Sequence, residues 1–370
     1  MSLRIIWGIF CILSLITAFG PVRCLKLSMK WRVLLGFFFF SAAQGYVLQK
    51  LFDASVMCPD KLPFPLIVLA KWGDVVTLMT GIAALIWCGL RLIRVKCPAV
   101  VPLVVGACLG TWMLYLGERQ PPIREHIIEL RDLPAEAEGM RIAVVADLHI
   151  DCWRGQAWCE RFVARLNAAQ PDVVFFTGDQ VDGDFERRVV DLSPLAGIQV
   201  PLGAFLISGN HEWMFDAERY LQYYQTLGMT VIDGKKVALK GLTVLGLPDS
   251  RSLTNCESAS ILEALMGDLP KSACTVLLAH KPGIALEADQ MGVDLQFSGH
   301  THGGQFPILA TLMKRFNNGF VHGHYDLPNG THLFVASGSA AWIGFPYRCY
   351  SSELSIITLK RAGSSSEPQH

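Results

Sequence analysis

The stretch Val293-Asp-Leu-Gln-Phe-Ser-Gly-His-Thr-His-Gly-Gly304 joins a short apolar run to a glycine-rich turn that carries two histidines. The run Val293–Phe297 has the length and the branched and aromatic residues typical of a buried β-strand. His300 and His302 follow it directly, and because side chains alternate along an extended chain, both rings can point to the same side. Imidazole is the commonest metal ligand in proteins. The stretch therefore predicts a metal site at the end of a strand.

Four more polar motifs follow apolar runs of the same kind. Each motif alone has an ordinary structural explanation as a turn, a helix cap or a buried histidine. Their joint occurrence at the ends of strands, where α/β sheets build their sites, indicates one shared site. The motifs are Asp147-Leu-His149 after Ile142–Ala146, Gly178-Asp179-Gln-Val-Asp182 after Val173–Thr177, Gly209-Asn210-His211-Glu212 after Ala204–Ser208, and His280 after Thr275–Ala279.

The fold class follows from the elements around these motifs. Further apolar runs at Leu242–Leu247, Leu333–Ser337 and Leu354–Leu359 predict additional strands. Helical periodicity occurs between the strands, at Gln156–Ala169 and Ala217–Leu227. Strands with intervening helices predict a layered α/β domain.

The first 120 residues differ from the rest in composition. They carry 12 Lys and Arg against 4 Asp and Glu, whereas residues 121–370 carry 20 against 28. Since about 20 apolar residues cross a bilayer as a helix, this part predicts about four transmembrane helices. A cleaved signal peptide for the first run and a soluble helical core are the alternatives. The uncharged or nearly uncharged runs are Ile5–Gly20, Val33–Gln49, Leu66–Leu90 and Ala99–Gly117.

Basic residues are distributed unevenly around these runs. Loops rich in Lys and Arg tend to stay in the cytoplasm, so we expect both termini and the large domain outside it. The loops expected in the cytoplasm carry Arg23, Lys26, Lys30, Arg32, Arg91, Arg94 and Lys96, and the opposite side carries Arg4, Lys50 and Lys61.

The remaining chain divides by composition. Pro121-Pro122 ends the membrane region, because proline cannot continue a helix interior, and residues 121–139 are expected to form a linker. The globular domain is expected at 140–360, with a disordered tail at 361–370.

The domain lacks a basic face, so nucleic acid is not an expected partner. The eleven cysteines form no Cys-x-x-Cys pair, which disfavours a structural zinc site or a disulfide framework.

The five motifs together resemble the calcineurin-like metallophosphoesterase superfamily over about residues 140–360. The superfamily pattern is Asp-x-His, Gly-Asp-x-x-Asp, Gly-Asn-His-Asp/Glu, a lone His, and Gly-His-x-His. The resemblance implies a four-layer sandwich of two mixed sheets flanked by helices. It also implies two divalent metal ions, and the oxygen and nitrogen donors suit Mn, Fe, Zn, Co or Ni.

The resemblance also assigns a role to each motif residue. His211 would contact the phosphate and protonate or stabilise the leaving oxygen, and Asp182 would orient His211. Asp179 would bridge the two ions. The first ion would be held by Asp147, His149 and His302, and the second by Asn210, His280 and His300.

A narrower resemblance concerns the membrane-anchored bacterial branch, which includes enzymes that act on UDP-2,3-diacylglucosamine in lipid A synthesis. Apolar spans followed by this domain, together with Gly338 and Pro346-Tyr-Arg348, fit that branch. Ser351-Ser352-Glu353 departs from its usual Pro-Glu. By this resemblance Arg348 is a candidate substrate-binding residue, and the substrate is a phosphorylated, lipid-linked or nucleotide-linked small molecule at the bilayer.

Two other function classes remain open on the sequence. One is a metal-binding or sensor protein on a degenerate phosphoesterase scaffold, although His211 and Asp182 would not be needed for binding alone. The other is a transporter, for which Lys71 and Asp74 would be the intramembrane charges. A second His-x-His, His322-Gly-His324, lies among turn residues and is interpreted as part of a surface loop.

Overall fold

The computed structural model describes residues 3–42, 61–249, 255–342, 344, 346–350 and 352–363. The chain divides into two compact units. The helical unit comprises Met1–Glu118 and the segment Ile343–Cys349. The sandwich unit comprises Arg119–Trp342 and the chain from Tyr350 onward. The disordered tail was expected at 361–370, but Arg361 is the last residue of a strand, and the residues beyond 363 lie outside the described residues.

The helical unit contains α1 (Leu3–Phe19), α2 (Met29–Ala42), α3 (Phe64–Leu92) and α4 (Val100–Glu118). The expected second span, Val33–Gln49, leaves the described residues after Ala42, and α2 has 14 residues up to that point. The described residues therefore support three candidate spans rather than the four expected. The segments long and apolar enough to cross a membrane are Trp7–Cys24, Phe64–Leu92 and Val100–Glu118.

Small residues bring α4 close to α3. Gly106 and Gly110 are four residues apart and so lie on one face of α4. A Cβ atom on Gly110 would lie 3.0 Å from the backbone oxygen of Val75, and a Cβ on Gly106 would meet the backbone of Thr80. This spacing is typical of membrane helices, which associate through close backbone packing. Large side chains elsewhere on α4, such as Trp112, stay exposed.

The described residues of the sandwich unit form twelve strands in two mixed six-stranded sheets. The strands are β1 (Ile123–Leu130), β2 (Arg141–Val145), β3 (Val173–Phe176), β4 (Ala204–Leu206), β5 (Met229–Val231), β6 (Lys236–Leu239), β7 (Leu242–Leu247), β8 (Cys274–Ala279), β9 (Leu295–Ser298), β10 (Gly323–Asp326), β11 (His332–Val335) and β12 (Leu354–Arg361). The first sheet has the order β1-β12-β2-β3-β4-β5 and the second β10-β11-β9-β8-β7-β6.

Helices connect and flank these strands. They are α5 (Gln156–Ala168), α6 (Phe185–Leu192), α7 (Asn210–Phe215), α8 (Ala217–Thr226), α9 (Asn255–Met266), α10 (Ala285–Met291) and α11 (Pro307–Phe316). Each predicted strand overlaps an observed one, and the two predicted helices correspond to α5 and α8. Strands β1, β5, β6 and β10 were not predicted.

Successive side chains of a strand point to opposite faces of its sheet, and this divides the hydrophobic residues into separate layers. Val144 of β2 points into a core shared by both sheets, where it packs in one cluster with Phe297 of β9. Val145, the next residue, faces the other way and joins a cluster with Phe162 of α5. On the far side of the second sheet, Leu277 of β8 packs with α9 and α10. The result is two sheets face to face with helices outside, as the resemblance implied.

The expected linker at 121–139 contains part of the first sheet. Strand β1 pairs in parallel with β12 along its whole length, from Ile123 opposite Leu354 to Leu130 opposite Arg361. β12 in turn pairs antiparallel with β2. The segment after α4 is thus built into the sandwich unit, because its backbone groups are needed to complete the sheet.

Candidate metal centre

The predicted site residues of the sandwich unit lie just beyond the ends of five strands. β2, β3 and β4 are parallel neighbours in the first sheet, and β8 and β9 are parallel neighbours in the second. Their carboxyl ends therefore meet at one edge of the sandwich, which is where ligand sites form in such sheets. Asp147 and His149 follow β2, Asp179 and Asp182 follow β3, Asn210 and His211 follow β4, His280 follows β8, and His300 and His302 follow β9.

Backbone hydrogen bonds hold these loops together. The N–H of Asp147 donates to the carbonyl of Gly178 at 3.1 Å, and the N–H of His149 donates to the carbonyl of Asp179 at 3.1 Å. Across the two sheets, the N–H of His300 donates to both carboxylate oxygens of Asp147 at 3.0 Å. The loops are therefore fixed relative to one another by the chain itself.

The ligand residues share an unusual backbone conformation. A positive φ is rare for residues other than glycine and costs about 1–2 kcal/mol each. Such strained residues persist where the surroundings impose them, often at functional sites. Five of the seven predicted ligands have it: Asp147 (53°), His149 (43°), Asp179 (58°), His300 (69°) and His302 (49°).

One group of donors consists of Asp147, His149 and His302. The Nε2 atoms of the two imidazoles face each other at 3.1 Å. The Nε2 of His302 lies 3.7 Å from Oδ1 of Asp147. All three donor atoms lie within 4.8 Å of one another, so a single cation can contact them together.

A second group consists of Asp179, His280 and His300. Nδ1 of His300 lies 3.2 Å from Nε2 of His280, and that nitrogen lies 3.1 Å from Oδ2 of Asp179. The same Oδ2 lies 4.0 Å from Nε2 of His149. Asp179 is therefore placed between the two groups, as expected for a bridging carboxylate.

Asn210 was predicted to join the second group, and the structure places it next to residues that contact Asp179. It lies between Gly209 and His211, and the N–H of His211 donates to Oδ1 of Asp179 at 2.8 Å. The side-chain oxygen of Asn210 is buried and has no hydrogen-bond partner among the described residues. An orphaned buried acceptor beside a carboxylate fits a metal ligand.

Further contacts orient two of the imidazoles. Nδ1 of His280 lies 2.8 Å from the carbonyl oxygen of Thr177, and Nδ1 of His302 lies 3.2 Å from that of Ala340. A carbonyl accepts, so each Nδ1 donates, and each Nε2 is turned towards the other donors of its group. This is the arrangement typical of metal-bound histidine, and the donor set as a whole fits divalent metal ions.

His211 lies beside the donors with its ring fixed. Its Nδ1 is 2.5 Å from Oδ1 of Asp182, while its Nε2 lies 3.8 Å from Oδ2 of Asp179. The other oxygen of Asp182 lies 3.2 Å from Nδ1 of His149. Asp182 is fully buried; it fixes the ring of the predicted catalytic histidine and lies beside a predicted metal ligand.

The charges of the site shift the pKa of its histidines in opposite directions. Burial lowers the pKa of His280, but the adjacent Asp179 outweighs it and raises that pKa to about 10. Desolvation and the neighbouring His280 lower the pKa of His300 to about 3. For His211, burial is outweighed by Asp179 and Asp182, which raise its pKa to about 9.

The carboxylates respond to the same neighbours. Burial raises the pKa of Asp179, but His280 and His211 outweigh it and hold that pKa well below its usual range. The pKa of Asp182 is likewise lowered, because His149 and His211 outweigh burial. Both carboxyl groups are therefore ionised at neutral pH.

Glu212 has a structural role that the sequence did not reveal. Its buried carboxylate accepts the N–H groups of Asp179 at 3.0 Å, Gln180 at 2.6 Å and Gly209 at 2.8 Å. It therefore ties the loop after β3 to the loop after β4. The sequence showed only that Glu212 is the last residue of the Gly209–Glu212 motif. It did not predict the burial of the carboxylate or its hydrogen-bond partners.

Arg348 was predicted as a candidate substrate-binding residue. It belongs to the helical unit, where its N–H donates to the carbonyl of Met113 at 3.0 Å. Its side chain is buried. A role in substrate binding stays a prediction.

Replacing Gly178 with alanine is expected to disrupt the metal centre. Gly178 has φ of 94°, and a Cβ there would lie 2.7 Å from the backbone of Gly209 and 2.8 Å from Nδ1 of His280. We expect at least about tenfold weaker metal binding, as for loss of an orienting partner. Metal content and thermal unfolding would be measured together.

Gly228→Ala is the matched control for this change. Gly228 has a similar φ of 87° but open space around the added atom. It should cost about 1–2 kcal/mol of stability and leave metal binding unchanged. Equal metal content in the two variants would contradict the role given to Gly178.

Comparison with known proteins agrees with this geometry. A profile described as calcineurin-like phosphoesterase matches residues 140–304. An uncharacterised metallophosphoesterase of Helicobacter pylori strain J99 is 31% identical over 248 residues, covering 66% of this chain and 65% of that protein. A Danio rerio protein named "Transmembrane protein with metallophosphoesterase domain" is 29% identical over 279 residues, covering 71% of this chain and 63% of that protein.

These matches span less than two thirds of the length of both relatives. A solved dimetal phosphatase from Danio rerio covers 55% of this chain and 88% of that chain at 12% identity, with a TM-score of 0.38. That likeness is too low to support an argument. The matches do not single out the UDP-2,3-diacylglucosamine branch. They agree instead with the metal donors in pointing to the wider group, and residues 140–304 are similar to the calcineurin-like phosphoesterase family.

Proposed function

We propose that this protein is a membrane-anchored, dinuclear-metal phosphoesterase that hydrolyses a phosphoester or pyrophosphate bond. The observation that carries the proposal is the position of Asp179, which belongs to the second donor group and lies 4.0 Å from His149 of the first, with His211 held beside it by Asp182. A site for metal storage or sensing would need the donors alone. A fixed imidazole next to them is what acid–base chemistry requires.

The proposed donor sets follow the resemblance, and the two groups of neighbouring side chains support them. Two bound divalent ions, from the Mn, Fe, Zn, Co or Ni class, would supply Lewis acidity at the phosphate and lower the pKa of a water molecule. Asp179 would lie between them. Asp147, His149 and His302 would hold one ion, and Asn210, His280 and His300 the other.

His211 would act on the leaving group. Its Nδ1 is engaged by Asp182 at 2.5 Å, so Nε2 is the atom that can face a substrate. As the bond from phosphorus to the leaving oxygen breaks, Nε2 would donate its proton to that oxygen. The buried negative charge of Asp182 stabilises the imidazolium before transfer, as in other acid–base pairs.

The substrate would bind at the edge of the sandwich unit where the predicted site residues lie. A cavity of about 90 Å³ adjoins His280, and Lys281 at its wall pairs with Asp249 at 2.7 Å. Pockets that enclose a drug-sized ligand measure about 300–1,000 Å³. The cavity therefore suits a small polar group, and the rest of the substrate would extend beyond it.

We place the substrate among lipid-linked or nucleotide-linked phosphate compounds, of which UDP-2,3-diacylglucosamine is the example supplied by the resemblance. A domain tied to a bilayer meets lipid head groups at high effective concentration. Nucleic acid is not proposed, because the domain is mildly acidic.

Hydrolysis assays test this function. Purified full-length protein in detergent, stripped with a chelator, should hydrolyse bis-p-nitrophenyl phosphate, p-nitrophenyl phosphate or a UDP-linked lipid only after Mn²⁺ or a related ion is restored. No turnover of any of the three with any ion would favour the binding or sensor alternative.

Topology is a separate expectation with its own test. We propose that the sandwich unit lies outside the cytoplasm, because the loops around α1, α2, α3 and α4 richest in Lys and Arg should stay inside. Alkaline phosphatase fused after residue 363 should be active in cells, whereas green fluorescent protein at the same point should be dark. The reverse pattern would place the domain in the cytoplasm and strengthen the nucleotide-linked substrate.

A further inference from the structure

A second cluster of metal-type side chains lies on the hairpin of β10 and β11. His324, expected in a surface loop, is instead part of β10, an edge strand of the second sheet. Asp326 lies two residues further along β10, and His332 lies directly opposite Asp326 on β11. Because side chains alternate, the three project from one face of the hairpin.

The donor atoms of this cluster are spaced as metal ligands are. Nδ1 of His332 lies 2.7 Å from Oδ1 of Asp326 and 3.1 Å from Nε2 of His324. Nε2 of His324 lies 3.3 Å from the same carboxylate oxygen. With metal–donor bonds of about 2.0–2.2 Å, two tetrahedral ligand atoms lie about 3.3 Å apart and two at a right angle about 2.9 Å. The three distances fall near these values.

Hydrogen bonds alone do not explain well why the donor atoms of His324, Asp326 and His332 lie so close together. If both imidazoles donate to Asp326, their N–H groups converge beside each other. If one donates to the other, a single ring nitrogen must serve two neighbours at once. A cation among the three atoms would contact a lone pair from each, which satisfies all of them together.

The hairpin is held rigidly, which favours binding. The buried carboxylate of Asp289, on α10, accepts the N–H groups of Asn329 at 3.0 Å and Thr331 at 3.1 Å. The N–H of Leu327 donates to the carbonyl of Thr331 at 2.9 Å, closing the turn. Ligands on a fixed backbone lose little freedom when they bind an ion.

We propose that His324, Asp326 and His332 form an accessory site for a divalent transition-metal ion of the zinc class. The two nitrogens and one oxygen match the ligands of Zn²⁺ sites that keep a position open. Their side chains are 37%, 74% and 24% exposed, so water or a donor from another molecule can fill that position. Bound metal joins the edge strand β10 to β11 across the turn. The site is distinct from the donors around Asp179.

Zinc titration of the full-length protein tests this proposal. The chelator-stripped protein in detergent is titrated with Zn²⁺ by calorimetry, and the number of sites is compared with that of His332→Ala. That variant should bind one equivalent fewer per chain. Asp326→Asn, an exposed change with little effect on folding, should bind one equivalent at least about tenfold more weakly.

His322→Ala is the matched control. His322 is an exposed histidine two residues before His324, and its Nε2 lies 3.6 Å from Glu353 rather than in the cluster. The His322→Ala variant should bind as many equivalents of Zn²⁺ as the unaltered protein. The proposal is overturned if His332→Ala and Asp326→Asn bind Zn²⁺ with unaltered number and affinity, or if His322→Ala loses the same equivalent.

Discussion

Asp179→Asn is expected to remove metal-dependent hydrolysis almost completely. The substitution keeps the size of the side chain but removes the negative charge that lies 3.1 Å from His280 and 4.0 Å from His149. Because both donor groups meet at this carboxylate, metal affinity should fall by more than the roughly 10–100-fold caused by loss of an outer partner. Bound metal per chain and the rate with an aryl phosphate diester would be measured on the same samples.

Asp184→Asn is the control for this loss. Asp184 lies on the same loop, two residues after Asp182, but is exposed. It should retain the metal content and rate of the unaltered protein. If Asp179→Asn kept full metal content and activity, the bridging role would be wrong, and with it the division of the donors into two sets.

His211→Asn is expected to separate catalysis from metal binding. The donor groups remain, so metal content should be unchanged. Loss of a general acid typically lowers kcat by about 10²–10⁴-fold. The loss should be larger for an alkyl phosphate than for p-nitrophenyl phosphate, because a good leaving group needs little protonation.

This dependence on the leaving group distinguishes an acid from a merely structural residue. A structural role would lower the rates for both substrates by the same factor. His322→Asn, at an exposed histidine, is the control and should leave both rates unchanged. Equal losses for the two substrates in His211→Asn would contradict proton donation.

The sequence predicted the meeting of the motif residues at one edge better than the rest of the fold, for a physical reason. The ligands follow short buried strands such as Val173–Phe176, whose apolar composition identifies them without an alignment. Parallel strands bring their carboxyl ends to one edge, so the motifs had to meet there. The positive φ values of Asp147 and His300 are imposed by neighbouring loops and were not predictable.

The elements that were missed depend on distant partners. Strand β1 carries Arg124, Glu125 and His126 near its start, a weak strand pattern, and becomes a strand by pairing with β12. The cluster at His324 was interpreted as a loop because its surroundings are rich in Gly and Asn. His332 lies on the next strand, β11, and only the pairing of β10 with β11 brings it close to His324.

The position of β12 has a consequence for how the protein is made. Among the strands of the described residues β12 comes last, yet it lies between β1 and β2, the first two. While a ribosome is still translating residues before Leu354, both early strands have an unpaired edge, and such edges invite association with other chains. Every predicted metal ligand precedes Leu354 and has by then been synthesised. The first sheet is therefore completed only after β12 has been made, and until then its early strands keep edges that can pair with other chains.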